Sequence, residues 1–271
     1  MKNYFSLILL LFIAKTWAQD VHFEVTYLPN HSYLLSKTER TTSIVDLEAS
    51  EEIYEALETQ GIKIPIVEKE SSTLKSITTT GDRENDKIPV KGEFLEFSQA
   101  KQLESSSFYG FFHEKRVHVD SLSSDILSKE QKQSITIGIQ SVLNAIYFPD
   151  KKMNIGDTLV EKTKLNYPVG ETTIPLSLTT IYKLKATNAE KSFFDIIMKY
   201  DFMTEIEGFK TQASGSGIGS VVYDIKNKFI TQMLLDTEVL MDFNQDGMLF
   251  HASVTTELDQ TVEVKSTKTK P

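Results

Sequence analysis

The strongest constraint on the fold is a two-residue rhythm in the second half of the chain. From Ile174 the even positions read Ile174, Leu176, Leu178, Thr180, Tyr182, Leu184 and Ala186, while the odd positions are mostly polar. The rhythm returns at Phe194, Ile196, Met198, Tyr200 and Phe202, and again at Met248, Phe250, Ala252, Val254, Thr256 and Leu258. Successive side chains of a strand point to opposite faces, so this pattern predicts strands with one face on a core and the other in water. Antiparallel sheets have that two-sided character, whereas buried parallel strands do not. Residues 220–223 and 229–241 add strand segments on either side of a turn at 224–228. Asn188 to Lys191 and Asn244 to Gly247 are likewise rich in turn residues.

The first half reads as shorter strands of the same kind. Residues 22–28 and 32–45, around Pro29 and Asn30, predict one hairpin, and residues 71–80 and 88–97 predict a second. Residues 108–112 and 116–120 predict two short strands, and 51–59 a short helix stopped by Gly61. One long helix is predicted at about 128–147. Ser128 and Gln131 have capping-box spacing, and Ile135, Ile139, Val142, Leu143 and Ile146 form one apolar stripe before Pro149. The expected fold is therefore mainly β within an α+β class. It is a long curved antiparallel sheet or half-barrel meander with one long amphipathic helix on its apolar face. That helix separates two sets of hairpins, as an internal duplication would, but the halves do not align, so residues 19–271 are expected to form one domain.

Residues 1–18 have the layout of a secretory signal peptide: Lys2, an apolar run from Phe5 to Ala14, and a small residue at Ala18. The run is shorter than the ~20 apolar residues of a membrane span, and no later stretch is apolar enough to span. The expected location is thus exported, periplasmic or extracellular. With no cysteine, neither disulfides nor thiol chemistry is available. The net charge is −9, and removal of Lys2 and Lys15 makes it more acidic, which argues against nucleic acid as a partner.

Two local patterns invite a ligand. Asp242, Asn244 and Asp246, followed by Gly247, match the opening of a calcium loop, but the twelfth position is Ser253 where a bidentate glutamate is needed. A hairpin turn explains the same residues, and no cofactor is expected. Gly215, Gly217 and Gly219 alternate along a strand, which leaves one face bare for close packing, for sheet curvature or for the floor of a ligand cavity. No helix follows them to seat a phosphate. With Ile139 and Leu143 of the helix, they are the candidate cavity residues. The five histidines show no metal-binding spacing, and no catalytic residue stands out.

The run Phe148-Pro-Asp-Lys-Lys-Met-Asn-Ile-Gly-Asp157 and the run Gly215-Ser-Gly-Ile-Gly-Ser-Val-Val-Tyr-Asp224, with its following Phe229-Ile230, resemble an uncharacterised exported-protein family of flavobacteria and their relatives. The resemblance implies no activity and assigns no residue a role. The layout is also similar, as a fold only, to periplasmic lipoprotein carriers. These readings converge on a non-enzymatic exported protein that binds an apolar ligand or lipid between sheet and helix. The alternatives are a structural or interaction module docking an envelope protein, and a hydrolase with carboxylates drawn from distant strands.

Overall fold

A computed structural model describes residues 21–145, 151–169, 172–206, 209–245 and 248–268. The elements run β1 (Val21–Phe23), β2 (His31–Glu48), α1 (Glu51–Thr59), β3 (Ile66–Thr80), β4 (Ile88–Phe97), β5 (Ser107–His113), β6 (Arg116–Ser123) and α2 (Lys129–Ala145). They continue with β7 (Lys151–Met153), β8 (Thr158–Val169), β9 (Thr172–Thr187), β10 (Lys191–Ile206), β11 (Phe209–Asp224), β12 (Phe229–Gln245) and β13 (Met248–Ser266). Eleven strands form one antiparallel sheet in the order β6-β5-β4-β3-β2-β13-β12-β11-β10-β9-β8. It is two meanders, β2 to β6 and β8 to β13, joined where the first long strand pairs with the last. Ser36 lies opposite Thr261 in that seam. The sheet is open, with β6 and β8 at its edges.

The expected period-two burial holds in the second meander. Thr180, Tyr182, Leu184, Ser192, Phe194 and Ile196 are buried, and Ile181, Lys183, Phe193 and Asp195 are exposed or half-buried; Ala186, expected on the inner face, is exposed, at the register shift where Phe193 lies opposite it. The turns form as their residues dictate: the Asn188 carboxamide oxygen accepts from the Glu190 and Lys191 amides at 2.9 and 2.7 Å, and Asp224 accepts from the Asn227 amide at 2.8 Å.

Two expectations are corrected. Residues 22–28 do not form a hairpin with β2. β1 instead pairs with β7 in a separate two-stranded ribbon. The reason is Phe23, which is 1% exposed and packs edge-on against Phe194 at 4.3 Å and beside Tyr223 at 4.7 Å, roofing β9 to β11. The Tyr223 hydroxyl donates to the Glu24 carbonyl at 2.8 Å, which fixes the chain as it leaves β1. The helix expected to be long, at about 128–147, is a short one of 17 residues, and with the helix expected at 51–59, of 9 residues, the described chain carries two short helices rather than one long one. The capping box forms as read. Gln131 Oε1 accepts from the Ser128 amide at 2.9 Å, and Ser128 Oγ accepts from the Gln131 amide at 3.3 Å. At 1.5 Å per residue α2 is about 25 Å long, while ten gaps of about 4.8 Å make the sheet roughly 48 Å wide. α2 is therefore too short to span the sheet, and it packs beside β6. Gln140 Oε1 accepts from the Val119 amide at 3.1 Å, closing part of the β6 edge. The end of the expected helix, residues 146 and 147, lies outside the described residues.

The core has two centres. One lies under the β1–β7 ribbon, around Phe23, Leu184, Phe194, Val221 and Tyr223. The other lies under α2, around Ile88, Val90, Phe94, Phe108, Phe112 and Val117, with Ile135, Ile139 and Leu143 against it. Tyr27, Tyr33 and Phe229, whose ring centroids lie 4.7 to 5.4 Å apart, sit between the two.

Candidate functional site

The second core is not filled. Between α2 and the sheet lies a cavity of about 400 Å³. Its helix wall is Ile135, Gly138, Ile139 and Leu143, and its sheet wall includes Leu35, Leu74, Phe94, Phe108 and Val262. Tyr27, Tyr33 and Phe229 close the side facing the other core. The apolar walls follow from the alternation: each contributing strand turns its inward residues to the same space.

Gly138 is the exception in the helix stripe. It lies on the flank of that stripe, three residues after Ile135. It is exposed although it lines the cavity, which puts an opening there. A β-carbon added to it would meet nothing within 4 Å.

Only five lining side chains are polar, those of Tyr27, Tyr33, Ser76, Thr78 and Gln260, and none of the lining residues is charged. Tyr33 is tied down, since its hydroxyl accepts from the Leu28 amide at 2.7 Å. Burial raises its phenol to about 12. Burial raises the Tyr27 phenol further, with the nearby Tyr33 adding to the effect. Both are therefore neutral hydroxyls at any physiological pH. The Tyr27 hydroxyl has no hydrogen-bond partner among the described residues, and neither do the side chains of Ser76, Thr78 and Gln260. No side-chain polar atom among the described residues is both sealed and unpaired, so these groups open onto space.

The sequence-derived candidates divide. Ile139 and Leu143 line the cavity. Gly215, Gly217 and Gly219 do not; they lie in β11 opposite β12. A β-carbon on Gly215 would sit 2.6 Å from the Glu238 carbonyl oxygen, one on Gly217 would sit 2.8 Å from Thr237 Cγ2, and one on Gly219 would run into the Leu234 carbonyl oxygen. Close strand approach is thus their use. Gly217 also lines a separate polar hollow of about 780 Å³ with Arg40, Thr41, Asp236, Thr237 and Glu257. Its Arg40–Glu257 ion pair, at 3.6 Å, is two-thirds exposed and holds little energy.

Asp242 and Asn244 belong to β12, and the ladder to β13 continues to Gln245 opposite Met248. That leaves two residues between the strands, too few for a twelve-residue calcium loop. Asp246 itself lies outside the described residues. Asp242 Oδ1 instead meets His251 Nδ1 at 2.7 Å, and Glu48 lies 3.4 Å from the other ring nitrogen. The hydrogen bond to Asp242 raises the His251 pKa, with the Asp242 and Glu48 charges adding to it. No cluster of metal-ligating residues occurs among the described residues.

A second feature lies on the opposite side of β8 to β11. Val160, Ile181, Ile197 and Ile218 are register partners across four adjacent strands. Val160, Ile197 and Ile218 are 53%, 44% and 65% exposed.

Sequence reasoning missed Tyr27 and Gly138. Tyr27 lies in an irregular segment with no periodic signal. Gly138 had one, because a glycine inside an amphipathic helix costs about 1 kcal/mol against alanine and so asks for a reason.

No family model and no curated protein matches the chain. Among solved structures, the chain aligns with the crystal structure of Ail, the attachment invasion locus protein of Yersinia pestis, at a TM-score of 0.16 and 6% identity. The alignment spans 86% of this chain and 99% of that one. A score that low carries no argument about fold or activity.

Proposed function

We propose that the protein is an exported, non-enzymatic binder that holds an apolar ligand between α2 and the sheet. The cavity carries this reading. Protein interiors leave few voids larger than a water molecule. An apolar space of about 400 Å³ kept open beside a packed core is therefore a feature that asks for an occupant. The volume lies in the ~300–1,000 Å³ range of small-molecule sites, and apolar walls with a few polar groups are their usual lining. Export follows from the leader at residues 1–18, which precede the described residues.

Native mass spectrometry of protein purified from the cells that make it tests the reading. A small molecule released on denaturation is expected. Empty protein that also fails to enhance the fluorescence of the apolar dye N-phenyl-1-naphthylamine overturns it.

A second reading, a docking module of the cell envelope, draws on the exposed ladder of Val160, Ile197 and Ile218. Crosslinking in cells with an I197K/I218K variant tests it: loss of a recurrent crosslinked partner is the expected result. The hydrolase alternative has no buried carboxylate among the described residues to build on.

A further inference from the structure

We infer that the cavity selects uncharged amphiphiles with a hydrogen-bond-accepting head, of the acyl ester or ketone class, anchored by the Tyr27 hydroxyl. This inference rests on the apolar-ligand reading and narrows it. Its basis is the mismatch between the walls and their few polar groups. A hydroxyl that opens onto a ligand cavity is normally paired, by protein, water or ligand. Here the hydroxyls of Tyr27, Ser76 and Thr78 have no partner among the described residues and all open onto one space, where a ligand can pair them. Thr78 lies opposite Tyr33 in the β3–β2 ladder, and the Tyr33 ring is 4.8 Å from that of Tyr27. Thr78 and Tyr27 thus both lie beside Tyr33, while Ser76 lies opposite Leu35 on the sheet wall.

The charge of the head follows from what is missing from the lining. No lysine, arginine or histidine lines the cavity, so a carboxylate or phosphate would enter without a counter-charge. Transfer of an unpaired anion into such surroundings is far costlier than transfer of a neutral carbonyl. Cationic heads lack a carboxylate for the same reason. A phenol donates a hydrogen bond to a carbonyl oxygen at no such cost. The tail then lies along the helix stripe and the Leu35, Leu74 and Val262 wall.

The test displaces N-phenyl-1-naphthylamine from the full protein with methyl decanoate, decanoate at pH 8, or dodecane. Wild type, Tyr27→Phe and Thr78→Val are compared. Tyr27→Phe keeps the ring and its edge and tilted contacts with Tyr33, Phe112 and Phe229, so only the hydroxyl is lost. Methyl decanoate should displace the dye better than either competitor. Tyr27→Phe should weaken the ester about fivefold, the size of one net hydrogen bond, and leave dodecane unchanged. Thr78→Val should act in the same direction and serves if Tyr27→Phe misfolds. If dodecane matches the ester and neither variant separates them, or if decanoate competes as well as the ester, the head-group inference is wrong while apolar binding stands. If the dye and all three compounds fail to bind wild type, both fall.

Discussion

Gly138 offers a perturbation whose effects on stability and on binding have opposite signs. It sits inside α2, where glycine is less favourable than alanine by about 0.8–1.0 kcal/mol. The usual objections to replacing a glycine do not apply: the added methyl meets nothing within 4 Å, and no left-handed backbone angle is involved. Gly138→Ala should therefore stabilise the protein by up to about 1 kcal/mol, a rise in Tm of roughly 2–4 °C for a chain of this size. Urea unfolding followed by far-ultraviolet circular dichroism should move to a higher midpoint with an unchanged slope. Gly138→Phe should keep most of its stability, since its ring has open space to enter. Placed at the mouth of the cavity, it should weaken dye binding at least tenfold. A destabilised alanine variant would mean that Gly138 does not face open space. Undiminished binding by the phenylalanine variant would mean that the dye enters elsewhere. Either result would refute the reasoning that the glycine keeps the cavity accessible.

Gly219→Ala should behave in the reverse way, because its methyl runs into the Leu234 backbone; overpacking of this kind costs about 1–3 kcal/mol, read as a lower urea midpoint. Ser128→Ala removes the hydroxyl that accepts from the Gln131 amide and should cost about 1 kcal/mol by the same measurement. NMR titration should place the His251 pKa above the ordinary value of about 6.5, and Asp242→Asn should bring it back towards that value. Because the folded state raises this pKa, the pair's stabilisation is full below the unfolded value and is lost as pH rises through the folded one. A His251 shift in the acid direction would contradict the geometry.

Much of the strand framework is legible in the residues themselves. Leu184, Phe194 and Ile196 are buried because alternation assigns them to one face, and no distant contact is needed to know that. Ser128 and Gln131 cap α2 because both partners lie within one turn. Asn188 and Asp224 build their turns through bonds to amides two or three residues away. What escaped was the destination of β1. Its alternation fits a strand equally well beside β2 or beside β7, and only the slot for Phe23 between Phe194 and Tyr223 decides between them.

The candidate site shows the same division. The sequence alone specified the apolar stripe of α2 and the inward faces of the strands, because those are local periodicities of 3.6 and two residues. It left open which strands would be neighbours. The seam of β2 and β13, where Ser36 meets Thr261, brings the two ends of the described chain side by side. With it come Leu35 and Val262 to one wall, and Tyr27 to the junction of the two cores. A void is a property of how surfaces meet across such distances: the residues fix which faces are apolar, and only the tertiary packing fixes whether the space between them is filled.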